Sequence, residues 1–303
     1  MQSYGKYSNI VNFPQTNVDI VPVLIFKKIN HLKAYLYQKK KQGQSVGFVP
    51  TMGALHSGHL SLIQASQAAN TLTVCSIFVN PTQFNNPADL EKYPRLIEKD
   101  IVLLEKQGCN ILFYPDVNEM YNQGEALPQI DLLGIDLRLE GEHRPGHFKG
   151  VATIVKKLFD AVEPHRAYFG QKDFQQVLVV KTLVQQLNMG IEIISVPTRR
   201  ESNGLAMSSR NLRLTDAERQ HAAIIYNTFL WAKQQLLTVP PKEVEAAAAQ
   251  RINATNGATV EYFSLADAHT LAPVEVYNPA QKVVALTAVN MGAVRLIDNM
   301  LMN

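Results

Sequence analysis

Short apolar runs alternate with helical periodicity through the first two thirds of this 303-residue chain, and that alternation constrains the fold more than any other feature. Strand-like runs fall at 45–49, 72–79, 110–114, 167–169 and 191–195, with Thr73-Val74-Cys75-Ser76-Ile77-Phe78-Val79 the clearest. Helical periodicity falls at 26–42, 59–69, 98–107, 151–162 and 173–187. Short apolar strands separated by amphipathic helices call for parallel pairing with helices on both faces. The predicted class is therefore α/β, a Rossmann-like parallel sheet, and its ligands are expected beyond the carboxyl ends of the strands.

The pattern changes after about residue 198. Thr215-Asp216-Ala217-Glu218 has the form of a capping box and opens a long predicted helix to about Leu237. Pro240-Pro241 breaks it, and a second helix runs to about Ala254. Strand-like runs follow at 259–265, 282–288 and 293–297, which predicts a smaller α+β domain with an antiparallel sheet. The predicted division is 1–19, a polar N-terminal extension; 20–198, the Rossmann-like domain; and 199–303, a C-terminal lid domain.

Composition excludes several classes. Hydrophobic residues make up 46% of the chain and charged residues 18%, which fits a packed enzyme and not a disordered chain. A net charge of +3 is too small to argue for nucleic acid. No apolar run is long enough to span a bilayer, and no basic start precedes an apolar core as in a secretory signal. Cys75 and Cys109 form no CxxC pair; Cys75, in an apolar run, is expected as a buried thiol in a reducing cytoplasm.

Chemistry concentrates at Gly47-Phe48-Val49-Pro50-Thr51-Met52-Gly53-Ala54-Leu55-His56-Ser57-Gly58-His59-Leu60. It reads as a buried strand, a small-residue turn and the first turn of a helix. A helix N-terminus offers unpaired N–H groups and partial positive charge to an anion such as phosphate. Gly53 and Gly58 remove side chains where a phosphate would approach the backbone. His56 and His59 add donors whose charge is tunable near neutral pH. Two alternatives stand beside this: surface filler, or a metal pair. A helical zinc pair needs a third ligand and usually a glutamate beside the first histidine, where this chain has Ser57.

Four further segments carry candidate polar groups. In Asn80-Pro81-Thr82-Gln83-Phe84, Asn80 and Gln83 can donate and accept, as a small hydroxylated acid requires, or Asn-Pro is simply a turn. Arg144-Pro145-Gly146-His147-Phe148-Lys149-Gly150 reads as a phosphate-covering loop or as a solvated basic loop. In Gly170-Gln171-Lys172-Asp173-Phe174-Gln175-Gln176, Lys172 suits a phosphate, and Asp173 suits ribose hydroxyls or a helix cap. Met207-Ser208-Ser209-Arg210-Asn211 offers hydroxyls and a guanidinium to a triphosphate.

In this order, and with Tyr93-Pro94-Arg95, these segments closely resemble the pantothenate synthetase family, the AMP-forming pantoate–β-alanine ligases, from about Phe26 to the C-terminus. His-x-Gly-His alone would indicate only the wider nucleotidyltransferase superfamily, whose other members join a nucleotide to a phosphorylated acceptor; Gln83 and Gln176 suit an uncharged polyol better. The resemblance implies that pantoate attacks ATP to give pantoyl adenylate and pyrophosphate, and that β-alanine then expels AMP. It implies ATP contacts from Met52, Gly53, Ala54, Leu55, His56, Ser57, Gly58 and His59, with both histidines on phosphates. It implies further ATP contacts from Gly170, Gln171, Lys172 and Asp173, from Met207, Ser208, Ser209 and Arg210, and from the backbone at Arg199. His56, His59, Lys172 and Arg210 are the implied catalytic set. Gln83 and Gln176, with Asn80, are the implied pantoate side, Gln83 also lying near β-alanine. Magnesium is expected with the triphosphate and not on direct protein ligands, Asp89 being an outer-shell candidate. A cytoplasmic homodimer is implied, with no nucleic-acid or membrane partner. One departure from the family pattern is Asn203, where Asp usually precedes the glycine; both favour a turn, so the loop is expected to keep its shape.

Overall fold

The computed structural model describes residues 22–84, 87–121 and 130–303, apart from the side chain of Asp89. The predicted N-terminal extension lies outside the described residues.

Six strands form one parallel sheet: β1 (Leu24–Phe26), β2 (Val46–Thr51), β3 (Leu72–Ile77), β4 (Ile111–Phe113), β5 (Arg166–Gly170) and β6 (Glu192–Val196), in the order β1-β4-β3-β2-β5-β6. Each internal strand buries both faces, as a doubly covered sheet demands. In β2, Val46 and Phe48 face one core with Leu158, Phe159, Val180 and Leu183, while Val49 faces another with Leu62, Ile63, Leu104 and Leu112. The covering helices are α1 (Ile29–Lys41), α2 (Ser57–Ala69), α3 (Pro87–Glu91), α4 (Ile97–Lys106), α5 (Val117–Met120), α6 (Glu140–His143), α7 (His147–Val162) and α8 (Phe174–Gln186). Cys75 and Cys109 are both buried and unpaired, and burial pushes the Cys109 thiol up to about 11.

One predicted helix begins differently. The 26–42 run is strand β1 followed by α1, and Phe26 pairs with Phe113 of β4. Leu-Ile-Phe is too short for its own period to declare a strand; the partner strand decides. The start of α1 is also set from a distance. Lys28 offers no side-chain cap, and the Ile29 N–H donates instead to Glu119 Oε1 at 2.8 Å.

Beyond β6 come α9 (Asp216–His221), α10 (Ala223–Gln235), α11 (Pro241–Asn253) and an antiparallel sheet of β7 (Ala258–Asp267), β8 (Val283–Met291) and β9 (Val294–Leu301). The capping box forms as expected: Glu218 N–H donates to Thr215 Oγ1 at 3.3 Å and Thr215 N–H to Glu218 Oε2 at 2.8 Å. The single long helix predicted after it is two, α9 and α10, meeting at Ala222. One side of this sheet packs Phe263, Val289 and Leu296 on Ile225, Phe229 and Val244. Residues such as Ala266, Val284 and Leu286 pack instead on Phe148, Ala152 and Val179 of α7 and α8. The smaller sheet therefore docks on α7 and α8, which cover the parallel sheet, and the cleft opens beside that contact.

Gly150 shows how tightly α7 approaches the Asn80–Phe84 turn. A Cβ there would lie 2.5 Å from the Thr82 carbonyl oxygen, a backbone atom unable to move alone. Gly150→Ala is expected to cost about 1–3 kcal/mol through overpacking, read as a lowered thermal midpoint; an unchanged midpoint would mean that this contact is soft.

Candidate active site

The cleft lies at the carboxyl ends of the parallel strands. The chain leaves β2 for β3 on one side, while β5 flanks β2 on the other. This reversal of strand order is the place where open α/β sheets hold ligands. The segment after β2 brings the histidine pair, the turn after β5 brings Lys172, and the segment after β3 brings Gln83. From beyond β6, Arg199 and Met207, Ser208, Ser209 and Arg210 complete the lining, with Asp298 and Asn299 of β9. Among the sequence-derived candidates, Met52, His56, Gly58, His59, Asn80, Gly170, Lys172, Asp173 and Gln176 also line this cleft. Gly53, Ala54, Leu55, Ser57 and Gln171 do not.

The reason is the way the loop is anchored. Asp100 of α4, 2% exposed, accepts from the backbone N–H groups of Ala54 and Leu55, both at 2.8 Å. Gly53 N–H donates to Thr51 Oγ1 at 3.1 Å. Gly53 and Ala54 take positive φ, +82° and +50°, to turn these donors inward. Burial raises the Asp100 carboxyl, and the two backbone donors offset part of that. The N–H groups of Gly53, Ala54 and Leu55 are thus engaged by protein. The glycines also permit close packing. A Cβ at Gly53 would lie 3.0 Å from Asp100 Oδ2, and one at Gly58 would lie 2.8 Å from the His56 ring.

The imidazoles take over the donor role. His56 is the N-cap of α2, and its Nδ1 accepts from Gly58 N–H at 3.1 Å. His59 Nδ1 accepts from His56 N–H at 3.3 Å. The ring centroids lie 4.1 Å apart, with the planes tilted by 35°. A ring whose Nδ1 accepts must, when neutral, carry its proton on Nε2. Burial, and then Lys172, lowers His56 to about 4; burial, then His56 and Lys172, lowers His59 to about 3. At neutral pH the pair is therefore two uncharged Nε2–H donors beside a lysine.

Gln83 is 9% exposed, and its Nε2 contacts Met52 Sδ at 2.9 Å. Asn80 donates to Gln83 Oε1 and to the Gly150 carbonyl, each at 3.2 Å, and its Oδ1 accepts from Tyr121 at 2.7 Å. Its amide is engaged by protein on both sides, so it supports Gln83. The Arg144–Gly150 segment is neither a solvated loop nor a plain phosphate cover. Arg144 pairs with Glu140 at 3.3 Å and donates to the Gln83 carbonyl at 3.3 Å. His147 Nδ1 meets the same carbonyl at 2.8 Å, so here Nδ1 carries the proton. Burial, then Arg144, lowers His147 to about 4. Glu140 also takes both Arg295 donors of β9, at 2.8 and 2.9 Å. Burial alone would raise its carboxyl, but Arg295 and Arg144 hold it below its ordinary value.

Lys172 lies 3.6 Å from Asp173, which makes no side-chain cap bond to α8, so the capping alternative for Asp173 falls away. Gln175 and Gln176 both line the cleft, but the Gln175 amide nitrogen is engaged by the carbonyls of Ile135 and Arg138. In the loop leading to Arg210, Asn203 Oδ1 accepts from Leu205 N–H at 3.1 Å, and Asn211 Nδ2 donates to Glu201 and to the Ala206 carbonyl. The turn at Asn203-Gly204 keeps the expected shape, with Gly204 at φ +92°. Ser57 Oγ meets Met207 Sδ at 2.6 Å across the cleft mouth. Buried Tyr93 is hydrogen-bonded to Ser209. Among the described residues no three His, Cys, Asp or Glu side chains gather as a metal cage, and the Asp89 side chain lies outside the description. Among the described residues no helix is long and apolar enough to cross a membrane.

Sequence reasoning named His147 only within the Arg144–Gly150 segment and missed Asp100, Glu140, Arg200, Arg295, Asp298 and Asn299. Each of these six has a partner remote in sequence, which no local spacing marks.

Cleft and sheet together are those of an open α/β fold that holds its ligand at the strand-order reversal. Residues 24–301 match the family model described as pantoate-beta-alanine ligase. The chain is 47% identical to a pantothenate synthetase of Cytophaga hutchinsonii, over 90% of this chain and 96% of that one. It is 44% identical to one from Acetivibrio thermocellus, over 91% and 98%. Among solved structures, pantothenate synthetase from Thermus thermophilus is 37% identical with a TM-score of 0.86, covering 92% of this chain and 99% of that one. Pantoate-beta-alanine ligase from Francisella tularensis, in complex with beta-gamma ATP and beta-alanine, is 37% identical with a TM-score of 0.77, over 92% and 98%. The chain belongs to the pantoate–β-alanine ligase family.

The histidines give a pH dependence. His56, His59 and His147 all titrate below the ordinary 6.5 in the folded chain. The unfolded chain therefore binds more protons than the folded one between about pH 6.5 and 4, and stability falls as pH drops through that window. Thermal midpoints from about pH 7.5 to 5 should decline, with a shallower slope in His59→Asn; a flat wild-type profile would remove the assignment of neutral imidazoles.

Proposed function

We propose that this cleft activates pantoate on ATP and passes the acyl group to β-alanine, with His56, His59, Lys172 and Arg210 on the phosphates. As a member of its family, the chain is an ATP-dependent ligase that condenses pantoate with β-alanine to give pantothenate, AMP and pyrophosphate. In the first step a pantoate carboxylate oxygen bonds to the α-phosphorus and the bond to pyrophosphate breaks. In the second the β-alanine amine bonds to the acyl carbon, AMP leaves with the bonding pair, and the amine sheds a proton. Neither step needs a protein nucleophile; positioning and stabilisation of charge on phosphate oxygens suffice.

The observation that carries this reading is the locked histidine pair. Both Nδ1 atoms are held by backbone donors, and both rings are lowered far below neutrality. They serve as preorganised hydrogen-bond donors toward oxygen, and His59 stabilises charge without giving up a proton. Lys172 supplies the point charge, and Arg210, at the cleft from the other side, supplies the guanidinium. In this reading Gln83 and Gln176 take the pantoate hydroxyls and carboxylate, Asp173 takes ribose, and the Arg199 backbone takes adenine. Magnesium, when bound with the triphosphate, would supply positive charge that aids the departure of pyrophosphate. The homodimer belongs to this reading by family resemblance, the cytoplasmic setting also by the buried unpaired thiols, and the division near residue 198 by the change of sequence pattern.

The deciding experiment measures AMP formed from ATP with pantoate, β-alanine or both. AMP matched by pantothenate only when both acids are present is the expected result; pyrophosphate released with neither acid present would overturn it. His59→Ala is expected to raise the barrier by about 2.7–4 kcal/mol, as for one lost preorganised donor, seen as reduced kcat; near-normal turnover would remove His59 from the phosphate-stabilising set.

A further inference from the structure

Strand β9 carries two adjacent polar residues that are buried, Asp298 at 5% exposure and Asn299 at 3%. Neither entered the reading of the sequence, because polar residues in a strand ordinarily face water. Burying them is unfavourable unless their hydrogen bonds are met. Asn299 Nδ2 spends both hydrogens across the cleft, on the carbonyl of Gln171 at 2.9 Å and of Lys172 at 2.7 Å. A flipped amide would set its oxygen against two carbonyl oxygens, so the orientation follows from the network. Asn299 Oδ1 is buried with no hydrogen-bond partner. An amide is thus kept at a buried strand position for its donor side alone, and what it holds is the turn bearing Lys172.

Asp298 extends the link. It accepts from Arg200 Nη1 at 2.6 Å and Nη2 at 3.1 Å. Arg200 also donates to the Gly204 carbonyl at 3.1 Å and the Asn299 carbonyl at 3.2 Å, and it stacks on Tyr226. Arg200 pairs with Ala206 in an isolated bridge at the base of the loop that leads to Arg210. One end of β9 therefore joins the loop of Lys172 to the loop of Arg210.

We propose that Asn299 is a positioning residue for the reaction, setting Lys172 against the triphosphate through the backbone of Gln171 and Lys172. This rests on the reading of Lys172 as a phosphate contact. A lysine is a point charge on a flexible stem; its contribution to a transition state depends on a fixed backbone origin, and small displacements in such sites are costly. Because the donor comes from the smaller sheet, the placement of Lys172 depends on how that sheet docks.

The test is a double-mutant cycle on the full-length enzyme with Lys172→Ala and Asn299→Ala, read as kcat/KM for ATP with the KM for β-alanine as control. Asn299→Ala is expected to lower kcat/KM for ATP about 10- to 100-fold and to leave the KM for β-alanine unchanged. In the Lys172→Ala background it should cost almost nothing further, because the group it positions is gone. Additive losses, or an Asn299→Ala enzyme with normal kcat/KM for ATP beside a strongly impaired Lys172→Ala, would overturn the inference. If Lys172→Ala alone keeps normal kcat/KM for ATP, the phosphate role of Lys172 fails, and this inference with it. Should Asn299→Ala not fold, Asn299→Ser, which retains one donor, enters the same cycle with the same outcomes.

Discussion

The cleft depends first on the carboxylate of Asp100. It is buried against the parallel sheet, where an unpaired charge would be strongly unfavourable, and two backbone N–H groups of the loop after β2 compensate it. Those two bonds draw Gly53 and Ala54 into positive φ and turn the chain into α2. From that turn follow the seat of His56 at the helix N-cap and the close approach of the His59 ring to it. Loss of the carboxylate would leave two buried donors without partners and a strained loop without its anchor, which is why this residue outranks the more visible histidines in structural importance.

A second constraint is the division of labour between helix and side chain. A helix N-terminus can bind an anion with its own backbone, yet here the accessible donors of α2 are partly taken by imidazole nitrogens. Each ring, its Nδ1 so engaged, keeps one Nε2–H donor of its own when neutral. Burial and the neighbouring Lys172 keep these rings uncharged, so they add no charge repulsion to a cleft already lined by Lys172 and Arg210. His147 is also neutral but has the opposite tautomer, because its Nδ1 faces a carbonyl. The same residue type is set to two different tasks by what its Nδ1 meets.

The two sheets are tied by more than apolar packing. Arg295 of β9 pairs with Glu140, which holds Arg144 near the carbonyl of Gln83. Asn299 of the same strand holds the turn of Lys172. One strand of the smaller sheet thus reaches both the Gln83 end and the Lys172 end of the cleft. Its docking sets the distance between the two.

Much of this was legible without coordinates, and the boundary between what was and what was not has a physical cause. The parallel sheet and the capping box at Thr215 follow from local periodicity and turn chemistry, properties of neighbouring residues, and the grouping of His56, Gln83, Lys172 and Arg210 follows from the family resemblance of the motifs that carry them. Strand β1 was missed because three apolar residues become a strand only when β4 lies beside them. The glycines were assigned to phosphate because a sequence shows that a side chain is absent but not which neighbour needs the space; the neighbours are Asp100 and the His56 ring. The sequence by itself determined the class of fold and the chemical groups available to it. The tertiary structure alone decided which nitrogen of each imidazole carries the proton and which amides are already engaged, and it brought Asp100, Glu140 and Asn299 to the loops they hold. Each of these depends on bonds between residues far apart in the chain, and such bonds leave no periodicity to read.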